Sequence, residues 1–291
     1  MAEGRVVRAI SGFFDVYDNG LVRRCRARGV FKKQGVTVLV GDIVRYDPIG
    51  TKEGIITSVL PRQSELVRPP IANVNHVLVV FAFVTPDLNF LMLDKTIAAA
   101  LIAGVEPSVV FTKADLVDEE TAQRTCAIYR DCGFRTLAIA TKQGTGVDAV
   151  RELMKGRVNV VAGPSGAGKS TLANALSPGL QLQMGEVSEK IGRGKQTTRH
   201  VELFQLDEDT WLADAPGFSQ LQLNVESREL KRYFPDFIAP AGTCAYRGCM
   251  HVDEDGCGVK AQVDSGRIHR SRYDSYVQMY QALREQEENM Y

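Results

Sequence analysis

The sequence predicts a multidomain protein: an all-β N-terminal barrel, an α/β domain on a mostly parallel sheet, and a small C-terminal module that pairs a set of metal ligands with one long helix. Three observations predict it. Short alternating segments broken by turn residues fill positions 5–60, apolar strands alternate with helical stretches over 75–223, and Cys244, Cys249, His251 and Cys257 cluster ahead of a helical run. The boundaries that follow are 1–67, 71–223 and 224–291. At 291 residues the chain is long enough for two or more such units, each with its own core.

In the first part, the segments Val6 to Ile10, Leu21 to Arg26, Val36 to Val40 and Ile43 to Tyr46 are separated by Asp18-Asn19-Gly20, Lys33-Gln34-Gly35 and Asp47-Pro48-Ile49-Gly50. Strands so short and so evenly punctuated predict a small barrel. Residues 1–70 hold 12 Lys/Arg against 7 Asp/Glu, whereas 71–225 hold 14 against 17. The basic end is therefore the better candidate for meeting a polyanion, with a solvated face as the plainer reading. Arg23, Arg24, Arg26, Arg28, Lys32 and Lys33 would carry that contact. Segment Pro61 to Pro70, with prolines at 61, 69 and 70, reads as a linker.

From Asn75 onward the pattern is strand then helix: Val77 to Phe83 and Leu91 to Ala103, Ser108 to Phe111 and Glu119 to Cys132, Thr136 to Ile139 and Val147 to Lys155, Val158 to Ala162 and Lys169 to Leu176. The last pair encloses Gly163-Pro-Ser-Gly-Ala-Gly-Lys-Ser170, a phosphate-binding loop in the strand–turn–helix setting it requires. Its glycines let backbone N–H groups converge on phosphate oxygens, and the helix start adds a favourable dipole. The site residues are Gly163, Ser165, Gly166, Ala167, Gly168, Lys169, Ser170 and Thr171. Lys169 reaches the β- and γ-phosphates, and the Ser170 hydroxyl ligates magnesium.

Thr112-Lys113-Ala114-Asp115 directly follows the strand Ser108 to Phe111, where ligands collect in open α/β sheets. A carboxylate at Asp115 accepts hydrogen bonds from N1–H and the 2-amino group of guanine, and adenine offers neither. Lys113 can lay its stem along the base. Thr112 replaces the more common Asn, which leaves the loop contacts of that Asn open. This base motif precedes the phosphate loop, the reverse of ordinary guanine-nucleotide switches. The order predicts a G domain whose chain is circularly permuted.

Two further segments follow the loop. Asp214-Ala215-Pro216-Gly217 ends the strand Thr210 to Ala213 and resembles a γ-phosphate sensor, with Asp214 holding magnesium through water and the Gly217 N–H meeting the γ-phosphate. Between them, Gly192-Arg193-Gly194-Lys195-Gln196-Thr197-Thr198-Arg199-His200 is polar and glycine-rich, and Thr198 is the expected second magnesium ligand. Phe218 stands where many G proteins place a water-orienting Gln, so slow intrinsic hydrolysis is expected. His200 is a candidate for positioning that water, the alternative being an exposed strand histidine.

Cys244, Cys249, His251 and Cys257 offer three thiolates and one imidazole within fourteen residues, enough for one closed tetrahedral zinc site of structural rather than catalytic type. Cys25, Cys126 and Cys132 are scattered and read as inert core thiols. The final helix, Ile268 to Glu288, places Tyr273, Tyr276, Val277, Tyr280 and Leu283 on one face. Arg267, His269, Arg270 and Arg272 at its start form a basic patch that either meets RNA or faces solvent.

Taken together these motifs resemble the circularly permuted, ribosome-small-subunit-dependent GTPases, the RsgA/YjeQ family, over nearly the whole chain. The resemblance implies an OB-fold for the barrel, a partnership with the small ribosomal subunit and its rRNA late in assembly, and GTP hydrolysis stimulated by that particle. It also places a second base loop at Ala140-Thr141-Lys142, with Thr141 at the guanine. GTP, GDP and magnesium are the implied ligands. A zinc-bearing RNA-binding protein that holds nucleotide as a static ligand is the alternative, and a phosphate-loop ATPase or kinase is a third, opposed by Asp115. The start Met1-Ala2-Glu3-Gly4-Arg5 lacks an apolar core and the longest apolar run, Val77 to Val84, is too short to span a bilayer. A soluble, cytoplasmic monomer without a membrane partner is expected.

Overall fold

The computed structural model describes residues 1–29, 31, 35–67, 69–177, 201–214 and 223–289. Two compact units emerge. One comprises Met1–Val77, Arg151–Val161 and Lys169–Gln220, and the other Leu78–Val150, Ala162–Gly168 and Leu221–Tyr291.

The first unit contains the barrel, with strands β1 (Ala2–Ile10), β2 (Phe13–Asp18), β3 (Leu21–Ala27), β4 (Ile43–Ile49) and β5 (Glu53–Val59). They run in the order β1-β2-β3-β5-β4, and a β1–β4 pairing closes the ring. Only β3 and β5 are parallel in it. Alternate residues point inward, so Val6, Val16, Cys25, Val44, Tyr46 and Ile56 form a fully buried core. Asn19 and Gly20, both with positive φ, make the two-residue turn that matches the twist of β2 and β3.

Two expectations for this part are corrected. Of Val36 to Val40 only Val40 pairs, through an isolated bridge to Ile71. The segment Pro61 to Pro70 is not a linker: it enters a hairpin of β6 (Glu65–Val67) and β7 (Pro70–Ala72). Arg62 anchors it, donating from Nε and Nη2 to the fully buried Asp42 carboxylate at 2.7 and 2.9 Å and from Nη1 to Glu65 at 2.6 Å. On the barrel side, Gly41 comes so close to the carbonyl of Ala72 that a Cβ would lie 2.0 Å from its oxygen. Of the prolines that suggested a spacer, Pro69 precedes β7 at the hairpin's turn and Pro70 is the first residue of β7, a strand position that accepts proline.

The same unit continues from the barrel into three strands of the α/β part, in the order β11-β13-β12-β1, where β11 is Val158–Ala162, β12 is Glu202–Gln205 and β13 is Trp211–Asp214. β11 and β13 are parallel, and β12 is an antiparallel strand absent from the sequence reading. Helix α4 (Lys169–Leu176) belongs here as well.

In the second unit the strand order is β10-β9-β8, with β8 (His76–Ala82), β9 (Glu106–Thr112) and β10 (Thr136–Ala138). Helix α1 (Phe90–Ile102) starts at Asn89, whose side chain accepts the Met92 N–H at 2.8 Å, and α2 (Glu119–Arg130) starts at Asp118, which accepts from Thr121 at 2.8 Å. Helix α3 spans Val147–Met154. The chain ends in α5 (Pro235–Ala241), α6 (Gly258–Asp264) and α7 (Arg270–Glu288), packed around Phe234, Phe237, Val259, Tyr276 and Met279. Tyr273, Tyr276 and Leu283 face that core and Val277 and Tyr280 pack against it, as their spacing predicts.

The basic patch at the start of α7 needs correction. Arg272 is only 1 % exposed. Its Nη1 donates to Asp94 Oδ1 of α1 at 2.6 Å, its Nη2 and Nε donate to the Asp236 carboxylate of α5 at 2.8 and 3.3 Å, and its guanidinium lies 4.6 Å from the Phe234 ring centre. Helical position 272 turns inward with Tyr273 and Tyr276, where the two acids make the burial of a guanidinium tolerable. Arg267, His269 and Arg270 stay exposed.

Candidate functional site

The sequence motifs meet most closely around the phosphate loop. Gly163 has φ +144°, and a Cβ there would lie 1.9 Å from the carbonyl oxygen of Val80, so only glycine lets the loop pass this close to that residue. Gly168, at φ +88°, sits against Thr112, with an ideal Cβ 3.4 Å from Oγ1. Ser165 and Gly166 are exposed, Ala167 is buried, and Lys169, Ser170 and Thr171 open α4.

The base motif is stitched to this loop by two side chains. Thr112, buried at the end of β9, donates from Oγ1 to the Ala167 carbonyl at 2.6 Å. Lys113, in a left-handed conformation, donates from Nζ to the Gly166 carbonyl at 3.0 Å and also to the Thr85 carbonyl. The threonine hydroxyl thus provides a tie to the phosphate loop from the position where Asn is usual. Asp115 lies exposed in the short turn Ala114–Leu116. The Ala114 N–H donates to Ile139 at 3.1 Å, which sets this turn beside the second base loop, where Thr141 begins the turn Thr141–Gln143. The Thr141 hydroxyl is buried without a hydrogen-bond partner.

Asp214 ends β13 directly opposite Glu202 of β12. Burial, and then the Glu202 charge, push its carboxyl up to about 6. Gly217, Phe218, Thr198 and His200, with the rest of 192–200, lie outside the described residues.

The second constellation is Cys244, Cys249, His251 and Cys257, whose ligand atoms all lie within 4.8 Å of one another. His251 Nδ1 is 3.5 Å from Cys244 Sγ and 3.3 Å from Cys257 Sγ, and those two sulfurs are 4.0 Å apart. A tetrahedral zinc with Zn–S near 2.3 Å and Zn–N near 2.0 Å has edges of about 3.5 to 3.8 Å, so the donor set fits such an ion. Burial, helped by Lys231, lowers the His251 pKa and keeps its imidazole neutral, as a ligand must be. Burial raises the Cys244 thiol, but N–H donors at Gly258 and Val259, together with hydrogen bonds from Cys249 and Cys257, bring the pKa down. Cys249 is pushed up to about 12 by burial. Cys257 also caps α6, accepting from the Lys260 N–H at 3.5 Å.

Residues the sequence reading missed hold this loop in shape. Glu254 accepts the Met250 and Val252 N–H groups at 2.6 and 3.1 Å, the Tyr273 and Tyr276 hydroxyls donate to the His251 and Met250 carbonyls at 2.8 and 2.7 Å, and Lys231 donates to the Cys249 carbonyl at 2.9 Å. An acid inside the cysteine spacing is the only sequence signal among them. The tyrosines read simply as an apolar stripe.

On the barrel, Arg24 and Arg26 flank the Phe13 ring at 5.4 and 4.6 Å, and Arg28 pairs with Asp47 at 3.1 Å. Arg23 turns inward to the Tyr46 hydroxyl at 2.9 Å and is the least exposed of the described arginines in the expected set. Lys32 and Lys33 lie outside the described residues.

A glycine-rich phosphate loop tied to a guanine-type motif that precedes it in the chain, in a protein that also carries a closed barrel and a Cys₃His cluster, defines a circularly permuted GTPase. Residues 59–224 match the RsgA GTPase family and residues 3–56 the RsgA N-terminal domain family. The chain belongs to the RsgA GTPase family. It is 44 % identical over 289 residues to the small ribosomal subunit biogenesis GTPase RsgA of Geobacillus thermodenitrificans, covering 98 % of each chain, and 39 % identical to the same-named protein of Caldanaerobacter subterraneus, covering 99 % and 98 %. Among solved structures it resembles YloQ, described as a circularly permuted GTPase (TM-score 0.83, 34 % identity, 98 % and 96 % covered), and YjeQ from Thermotoga maritima (TM-score 0.84, 34 % identity, 97 % and 98 % covered). No helix among the described residues is long and apolar enough to cross a membrane.

Proposed function

We propose that this GTPase acts on the small ribosomal subunit during its late maturation and that the subunit accelerates its turnover. The observation that carries the nucleotide part is the pair of bonds from Thr112 to Ala167 and from Lys113 to Gly166, which fix the guanine motif to the phosphate loop. In this reading Asp115 reads the guanine edge and the Thr141 N–H meets the base oxygen. Backbone N–H groups of residues 163–168 with Lys169 bind the phosphates, Thr171 supports the helix start, and Gly217 donates to the γ-phosphate. Ser170 and Thr198 hold magnesium, Asp214 reaches it through water, and His200 orients the attacking water. The ion, when bound, neutralises charge on the transferring phosphoryl oxygens.

One structural zinc sits on Cys244, Cys249, His251 and Cys257. The barrel, 1–67, meets rRNA through the platform of Phe13, Arg24 and Arg26, since aromatic and guanidinium faces stack on bases while the charge answers phosphate. Residues 71–223 carry the nucleotide chemistry and 224–291 the zinc module. The protein works as a cytoplasmic monomer. The names of the relatives support the partner, and the sequence identity over full length supports its transfer to this chain.

Turnover of GTP and of ATP, each with and without purified small subunits, tests the whole. Preference for GTP with stimulation by subunits is expected. Equal use of both nucleotides, or GTP turnover indifferent to subunits, refutes it.

A further inference from the structure

Both ends of β13 are tied to the same barrel strand. At one end, Asp214 faces Glu202 across β12–β13, and Glu202 in turn faces Arg8 of β1, with Arg8 Nη1 and Glu202 Oε1 4.0 Å apart. Directly opposed residues of neighbouring strands share a face, so Arg8, Glu202 and Asp214 form a row of one positive and two negative side chains across three strands. At the other end, Trp211 is 5 % exposed, its ring 5.1 Å edge-on from Tyr17 and 5.6 Å beneath the Arg5 guanidinium. Arg5 and Tyr17 are themselves a cross-strand pair of β1 and β2. Within β13, only Leu212 and Ala213 separate Trp211 from Asp214, and both are fully buried. All these residues belong to the first compact unit.

We propose that β1 is a positioning element for the nucleotide site: Arg8 through Glu202, and Arg5 with Tyr17 through Trp211, set the place of Asp214, so that a polyanion on the barrel and the γ-phosphate state are coupled. This rests on the reading of Asp214 as the group that serves the nucleotide's cation. The chemistry favours a coupled arrangement over a passive one. Asp214 and Glu202 are like charges held opposite each other, which is unfavourable until a cation binds Asp214 or a guanidinium neutralises Glu202. Arg8 is the guanidinium in place, and it sits on a half-exposed barrel strand where phosphate oxygens compete for it. A ligand that draws Arg8 away from Glu202 therefore changes the field at Asp214. By linkage, the nucleotide changes the barrel's affinity by the same factor.

The test uses the full chain and purified small subunits as the probe. Affinity for subunits is measured with GDP–Mg²⁺ and with a non-hydrolysable GTP analogue–Mg²⁺, in the natural protein and in the double variant Arg8→Gln/Tyr17→Leu. The expected result is a ratio between the two nucleotide states of about fivefold or more in the natural protein. In the variant it collapses to within about twofold of unity. A ratio of unity in the natural protein, or an unchanged ratio in the variant, overturns the proposal. Glu202→Gln is the companion variant, because loss of an acid cannot weaken a polyanion contact directly, and a ratio unaltered by it also counts against the row. If subunits bind in neither state, the functional reading above fails, and the proposal is decided by Trp211, the only tryptophan in the chain. Its emission must differ between GDP and the analogue, and identical spectra overturn it.

Discussion

Replacing Arg272 by Met removes the charge at the centre of a buried network while keeping the stem that packs on Phe234. The network holds one guanidinium against two carboxylates, Asp94 and Asp236, in sites 0 % and 7 % exposed at the side chain. Burial pushes the Asp94 carboxyl up, and the Arg272 charge acts against that rise. Without the guanidinium two acids remain with no counter-charge, a loss of about 3–5 kcal/mol. At about 2–4 °C per kcal/mol for a domain of this size, unfolding of the second unit should shift down by roughly 6–20 °C. Metal release during a thermal scan, followed with a chromogenic chelator, reports this unit, because the Tyr273 and Tyr276 hydroxyls of α7 hold the His251 and Met250 carbonyls. Arg272→Lys should fall between, since one ammonium cannot reproduce the fork that meets both acids. Asp94→Asn added to Arg272→Met should recover part of the loss by removing one of the stranded charges. A shift below about 2 °C for Arg272→Met, or no recovery in the double variant, refutes the reasoning that these charges depend on one another.

Three further outcomes follow from the sites. Thr112→Val keeps the shape beside Gly168 but leaves the Ala167 carbonyl without its donor, so GDP affinity should fall about five- to thirtyfold, corresponding to about 1–2 kcal/mol, in a fluorescent-nucleotide titration; unchanged affinity would show that the loop needs no tie. Because Asp214 titrates near 6, well above the ordinary 3.8, its ionised form is gained as pH rises through that value, and the magnesium affinity of the nucleotide complex should drop about tenfold per pH unit below it. Glu202→Gln removes the like charge and should move this midpoint to lower pH, and a midpoint that stays put argues against Glu202 as a cause. Cys257→Ser should lower metal content from one equivalent and unfold the C-terminal helices, read by atomic absorption and by loss of helical circular dichroism; full metal content would count against the four-ligand site.

What the sequence made legible follows the range of the forces involved. The phosphate loop and its flanking strand and helix were legible because a backbone that must run within 2 Å of a would-be Cβ at Gly163 leaves glycine as the only choice, and the sequence records that choice directly. The metal cluster was legible for a similar reason, since four ligands within fourteen residues need little help from distant chain. The linker reading failed where the deciding partner was distant: Pro61 to Pro70 looks like a spacer until Arg62 is seen against Asp42, twenty residues away and fully buried. Arg272 failed more instructively. A guanidinium at a helix start belongs on the surface unless acids wait inside, and Asp94 stands 178 positions earlier in the sequence. The strand β12 was missed because Glu202 to Gln205 is four residues long and pairs with β1 through a register no local pattern announces. In each miss the partners are distant in sequence: Arg272–Asp94 and β12–β1 join parts the sequence assigns to separate domains, and Arg62–Asp42 joins the expected linker to the barrel. Local chemistry was therefore readable as motifs, whereas the ties through which one motif can influence another were not. Those ties, Arg8–Glu202 and Arg272–Asp94 above all, join segments that the motifs leave separate.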